Sequence, residues 1–159
     1  MYADHQQTRD VDPFDEALLY RHNGPELIVL AALRAWLRPQ CGAVQGELDW
    51  REALLGAGVG VEGMEALDAL LRSLLYVSPR PLDMRCRCCP ALDKDEATIL
   101  QSIALLQRGR FKETVVLLGE WLEVPALSGV TKTIWRLAEA LGDVGLVIQV
   151  RERDVQYMQ

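Results

Sequence analysis

The stretch Met84-Arg85-Cys86-Arg87-Cys88-Cys89-Pro90 divides the chain into two segments that read alike. It holds three of the four cysteines of a 159-residue chain. Half of all residues are apolar, which is enough for a buried core, and the length suits one domain of common size. We therefore expect residues 86–92 to form a Cys-rich hinge between two halves of a single compact domain.

Residues 25–85 predict a first helical unit. Pro25 suits the first turn of a helix, and it opens the run PELIVLAALRAWLRPQ, whose leucines recur at helical spacing. Asp49 and Glu52 form a capping box that opens a short second helix, WREALL. The stretch GMEALDALLRSLLYV carries one apolar stripe and predicts a third helix. The two prolines that follow force an extended segment.

The same order of elements returns in residues 93–159, which predict a second helical unit. Asp93 and Glu96 form another capping box, and the helix that they open carries isoleucines and leucines at helical spacing. Residues 111–122 predict the second helix of this unit.

The end of the chain predicts a third helix and a strand. Pro125 and the pair Ser128-Gly129 indicate a break, so we place the third helix at residues 130–141. Residues 146–150, Leu-Val-Ile-Gln-Val, are the best strand candidate in the sequence.

The two units align as a degenerate internal repeat. Leu30 and Leu33 coincide with Leu100 and Ile103 at an offset of 70 residues. The predicted fold class is therefore mainly α, with two similar three-helix units and short extended or β segments. A unit of about sixty residues buries little surface alone, so we expect both units to share one core. Helix geometry sets the spacing of leucines, however, and two unrelated amphipathic segments would also align in this way.

The N-terminal residues carry no export or membrane signal. Residues 1–24 are acidic and polar at their start, and they predict an N-terminal arm followed by a short helix. No stretch of the sequence is apolar for long enough to cross a bilayer. These features favour a cytoplasmic protein whose cysteines are thiols or thiolates rather than disulfides.

The charge of the chain argues against non-specific binding to nucleic acid or to anionic lipid. The net charge is −6, and residues 1–85 hold thirteen acidic against eight basic side chains. Residues 86–159 hold ten acidic against nine basic side chains, so the second half is nearly neutral. A basic face in that half remains compatible with the composition.

The cysteines allow three interpretations, which are a zinc site, a redox or disulfide role, and plain thiols. Cys41, Cys86, Cys88 and Cys89 supply four thiolates, the number that a tetrahedral structural zinc site needs. Zinc sites typically use pairs of cysteines two residues apart, whereas adjacent Cys88 and Cys89 would point in different directions in an extended chain. Free cysteine is also a common buried residue. We therefore expect no cofactor here, with zinc as the alternative.

The stretch 113–153, ETVVLLGEWLEVPALSGVTKTIWRLAEALGDVGLVIQVRER, resembles the generic winged-helix pattern of bacterial regulators. In that pattern two helices joined by a turn precede a β-wing, and the second helix enters the major groove of DNA. The resemblance implies nucleic-acid contacts from exposed Thr131, Lys132 and Arg136, and from Arg151 and Arg153 on the wing. Winged helices also serve as protein-binding modules.

The sequence contains no catalytic constellation, and it favours a non-catalytic protein-binding or regulatory module. The acidic first half favours a protein partner or self-association over nucleic acid. We also expect Glu139 to neutralise Arg136 one helical turn away. Two alternatives stay open: a DNA-binding transcriptional regulator that uses the second unit, and a small metal-binding protein or enzyme built around Cys86, Cys88 and Cys89.

Overall fold

The structure is a computed structural model that describes residues 24–37, 49–85, 89 and 91–151. The predicted arm and short helix, up to residue 23, lie outside the described residues, as do Cys41, Cys86, Cys88 and Arg153.

The described residues form six helices and no strand, as a mainly α fold requires. In chain order the helices are α1 (Gly24–Leu37), α2 (Trp50–Gly56), α3 (Val61–Val77), α4 (Lys94–Gln107), α5 (Phe111–Gly119) and α6 (Val124–Asp143). None of these six is both long enough and apolar enough to span a lipid bilayer.

Both predicted capping boxes are present. The backbone N–H of Asp49 donates to Glu52 Oε2 at 3.2 Å before α2, and that of Asp93 donates to Glu96 Oε1 at 2.8 Å before α4. Each pair satisfies backbone N–H groups that the first turn of a helix leaves without an intrahelical partner. The start of α4 matters most, because Glu96 also takes part in a buried ion pair.

The prediction of a helix break at Pro125 and Ser128-Gly129 is wrong. Helix α6 begins at Val124 and continues through Ser128 and Gly129 to Asp143. Pro125 lies in the first turn, where its missing N–H has no intrahelical acceptor to lose. The turn between the helices is instead residues 120–123, and α5 ends at Gly119 rather than at residue 122.

The apolar residues of both predicted units form one buried cluster. Eight leucine and isoleucine residues that recur at helical spacing in the predicted helices of both units are all buried, namely Leu30, Leu33, Leu70, Leu74, Ile103, Leu106, Leu137 and Leu141. Between the units, α3 packs against α6 and α1 packs against α4. The prediction of a shared core is therefore confirmed, and the internal repeat stays a prediction.

The contact between α3 and α6 is close because a glycine lies in it. A Cβ atom at Gly63 would lie 3.2 Å from the Cβ of Ala140 and would overlap the side chain of Val59. Real Cβ atoms rarely approach neighbours so closely, so a larger residue would push the helices apart. Gly63 thus lets the longest helices of the two units meet with their backbones near each other.

The predicted strand at residues 146–150 is wrong, because no neighbouring strand exists among the described residues to pair with it. The segment is extended, and side chains of α4 bind its backbone instead. Gln107 donates to Leu146 O at 2.9 Å and accepts from Ile148 N at 2.8 Å. Gln101 likewise donates to Gln149 O at 3.3 Å and accepts from Arg151 N at 2.9 Å. Two glutamine amides therefore replace the strand that would complete a ladder.

A buried arginine in α1 forms hydrogen bonds with α4 and with the Cys-rich hinge. Arg34 donates to both carboxylate oxygens of Glu96, and it also donates to the carbonyl oxygens of Cys89 and Ala91 at 2.8 Å each. The side chains of Arg34 and Glu96 are only 2% and 0% exposed. We call this group, Arg34 with Glu96 and the two carbonyls, the Arg34 clamp. It fixes the described part of the predicted hinge against the core.

Candidate functional site

Of the four cysteines, Cys89 is the one that the structure describes, so the distances between the cysteines are not defined. The Sγ atom of Cys89 lies 3.7 Å from Arg85 Nη1, which donates to it. Within the described ranges no group of three or more His, Cys, Asp or Glu side chains could hold a metal ion. The other three cysteines lie outside those ranges, so the zinc hypothesis stays a prediction.

The buried carboxylates are occupied by structural partners. Asp95 binds Arg80 through two hydrogen bonds, 2.8 and 2.6 Å long, and accepts the backbone N–H of Asp83. The hydrogen bonds with Asp95 raise the pKa of Arg80 above its ordinary value, against the opposing effect of burial. Glu26 binds Arg151 at 3.0 Å. These pairs hold extended segments onto helices, and this structural role accounts for the buried charge.

The five residues implied by the winged-helix resemblance do not form one exposed set. Thr131 is buried, contrary to expectation, because it lies on the inward stripe of α6 beside Ile134 and Ala138. Arg151 is an ion-pair partner of Glu26 in α1 rather than a cation on a wing. Arg153 lies outside the described residues.

Lys132 and Arg136 do fit the expected exposure. Both lie on the outer side of α6, and neither forms an ion pair with another described residue. Glu139 is exposed as well, but no ion pair links it to Arg136 within the described part of the chain. The expected neutralisation of Arg136 by Glu139 is therefore not seen.

An exposed aromatic pair lies between α5 and α6. The ring centroids of Phe111 and Trp135 are 6.1 Å apart, and the ring planes are tilted by 59°. Tilted pairs at this separation are a favourable arrangement of aromatic quadrupoles. Val115 and Val116 continue the apolar surface along α5, and all four side chains are exposed. We call these four residues the α5–α6 apolar surface.

This surface exists because α5 has more apolar residues than it can bury. Thr114 and Leu118 are its fully buried residues, and they face the core. Val115 and Val116 lie on other sides of the helix, with Val116 68% exposed, and Phe111 is exposed at the first position of α5. Single exposed apolar residues are normal, but a contiguous group that includes two aromatic rings is typical of a binding surface.

Basic side chains border the aromatic end of the surface. Lys112 is exposed beside Phe111, and Lys132 and Arg136 are exposed on α6 next to Trp135 in sequence. Arg110 and Glu113 form an ion pair at the start of α5. The acidic residues Glu120 and Glu123 lie at the opposite end of α5, in the turn before α6. The surface therefore has a basic end and an acidic end.

Sequence patterns alone did not single out this surface. The nine residues of α5, FKETVVLLG, carry apolar side chains on more than one side of the helix, so the pattern does not say which side faces the core. The number of apolar residues in α5 is itself a signal of an exposed apolar surface, since a short helix needs only one apolar stripe to face the core. Trp135 gave a similar signal on α6, because it lies beside the inward stripe rather than on it.

Comparison with known proteins adds no relative: no family model, no curated protein and no solved structure matches the chain.

Proposed function

We propose that the protein is a non-catalytic cytoplasmic module that acts by binding another protein through the α5–α6 apolar surface. The observation that supports this proposal is the exposed pair of Phe111 and Trp135, continued by Val115 and Val116. Aromatic side chains carry much of the energy of protein interfaces, because each buries a large area at a low cost in conformational entropy.

The surface is also preorganised. Residues 120–123 join α5 to α6 in a short turn, and within it Trp121 and Leu122 are buried. Leu118 of α5 and Ile134 of α6 belong to the same core cluster. The two helices are thus held in fixed relative positions before any partner arrives, which lowers the entropic cost of binding.

A photo-crosslinking amino acid at position 116 tests the proposal. In cells of the source organism, Val116 replaced by a benzophenone-bearing residue is expected to give a covalent adduct with one defined protein. The matched control is position 61 at the start of α3, because Val61 is 64% exposed and lies outside the α5–α6 apolar surface. No adduct at position 116, or equal adducts at both positions, would contradict the proposal.

Exposed Lys132 and Arg136 favour DNA binding as a second candidate. Phosphate contacts require accessible cations, and these two meet that condition. Thr131 is buried and Arg151 is bound to Glu26, so only two residues of the described set could reach phosphate. The neighbouring rings and the net charge of −6 favour a protein partner instead.

A salt titration with mixed genomic DNA separates the two candidates. Two phosphate contacts give a slope of log K against log salt of only about −2, whereas established DNA-binding proteins make roughly 6–10 such contacts. We expect weak binding at low salt with a slope no steeper than about −2. A slope steeper than about −5, reduced by Lys132→Ala, would place DNA binding above protein binding.

A further inference from the structure

Five exposed residues of α5, together with Glu120 directly after it, form two parallel rows. One row is Phe111, Val115 and Gly119, and the other is Lys112, Val116 and Glu120. Successive members of each row are four residues apart, so each row is a ridge of the kind that packs between helices. All six positions are exposed.

In the first row, an antiparallel second copy of α5 would place a large side chain opposite a glycine, which has no side chain. If α5 meets an antiparallel copy of itself with Val115 at the centre, Phe111 of one copy lies over Gly119 of the other. A Cβ atom at Gly119 would have only Leu127 Cδ1 within 4 Å, at 3.8 Å, so the outer side of this glycine is open. An aromatic ring can therefore approach the backbone there.

The second row is complementary in charge under the same reversal. Lys112 and Glu120 lie at equal distances from Val116, each about 6 Å along the helix axis. An antiparallel copy places each lysine beside the glutamate of the other chain, with the two Val116 side chains in contact between them. Each row is therefore complementary to the same row of an antiparallel copy, and the centres of the two rows, Val115 and Val116, are adjacent. A two-fold interface requires this self-complementarity.

We propose that α5 packs antiparallel against α5 of a second copy of this chain, across a two-fold axis at Val115 and Val116. This inference rests on the proposed function and names the protein partner as the chain itself. Helix α5 has nine residues and is roughly 13 Å long, so the interface belongs to the small class below about 1,200 Å². Trp135 lies at the edge of this contact and extends it.

Sedimentation equilibrium over protein concentrations from about 10 μM to about 1 mM tests the pairing, since a small interface implies a micromolar or weaker dissociation constant. The expected mass rises from 17.8 kDa towards twice that value. Val116→Glu brings two carboxylates together at the axis and is expected to weaken the dimer about tenfold or more. Val61→Glu, at an equally exposed valine, is the control and should leave the dimer unchanged.

Charge reversal provides a test with rescue. Lys112→Glu and Glu120→Lys each place like charges opposite each other and should each weaken the dimer. The double variant restores opposite charges at both ends, so its dissociation constant should return to near that of the natural chain. A variant damaged in its own fold would not be rescued in this way, and thermal unfolding of each variant checks the fold separately.

The possible results separate this inference from the proposed function. A chain that stays monomeric at about 1 mM, or a dimer that Val116→Glu leaves intact, overturns pairing through α5. If position 116 then crosslinks to a different protein in cells, the proposed function stands and only the identity of the partner was wrong. If position 116 gives no adduct either, both fall.

Discussion

Replacement of Arg34 by methionine is expected to lower the free energy of unfolding by about 3–5 kcal/mol. Methionine keeps most of the volume of the arginine stem but removes every hydrogen bond of the Arg34 clamp. The carboxylate of Glu96, which is fully buried, then loses its counter-charge, and the carbonyls of Cys89 and Ala91 lose their donors. Urea denaturation followed by circular dichroism measures the change.

Two further variants show whether burial is the cause. Arg72 pairs with Asp68 on the surface of α3 and its side chain is 70% exposed, so Arg72→Met should cost no more than about 1 kcal/mol. The double variant Arg34→Met/Glu96→Met removes both charges and should recover part of the loss, because a buried apolar pair carries no desolvation penalty. A cost below about 1 kcal/mol for Arg34→Met would mean that the clamp does not hold the helices together.

The helices could be predicted from sequence because their signals are local. Both capping boxes and the leucine spacing lie within single helices, and they placed α1 to α4 correctly. The break predicted within α6 is wrong because the low helix propensity of glycine and serine costs only about 1 kcal/mol or less per residue. Gly129 stays helical, and its carbonyl accepts a hydrogen bond from Thr133 Oγ1 at 2.9 Å. The inward stripe of α6 outweighs their low propensity.

The contacts of the last extended segment could not be predicted from its own sequence. Leu146 and Ile148 are buried and Val147 is exposed, so the alternation typical of a strand is real. The alternation does not reveal the hydrogen-bond partners of this segment. They are the side chains of two glutamines about 40 to 50 residues earlier in the chain. Glutamine in a helix is usually a solvated residue, and nothing local marks Gln101 or Gln107 as a backbone ligand.

The buried charges and the α5–α6 apolar surface escaped prediction for the same reason. Arg34 lies in a run of apolar residues, and the spacing did not reveal that its counter-charge is Glu96, 62 residues away. Phe111 and Trp135 lie in different helices, and their contact depends on the angle between α5 and α6. Sequence spacing indicates which residues share a side of one helix, but not which helix covers that side.

Leu137→Ala is expected to cost about 2–5 kcal/mol, because it removes a side chain that is fully packed in the shared core. Leu137 lies in α6, the helix that packs against α3 of the first predicted unit. Because the two units share one core, the substitution should lower the stability of both units. We therefore expect faster hydrogen exchange at the amides of Leu70 and Leu71 in α3, to the same extent as at the buried amides of α6.

The rates of hydrogen exchange in α3 and in α6, compared with each other, show whether the two units unfold together. Leu55 is 56% exposed on α2, so Leu55→Ala serves as the control and should change stability by less than about 0.5 kcal/mol. Urea denaturation of Leu137→Ala should remain a single transition, since the described helices share one core and a single domain typically unfolds as a unit. Loss of protection confined to α4, α5 and α6, with α3 unchanged, would show that the second unit opens alone and that the contact between α3 and α6 does not couple the two.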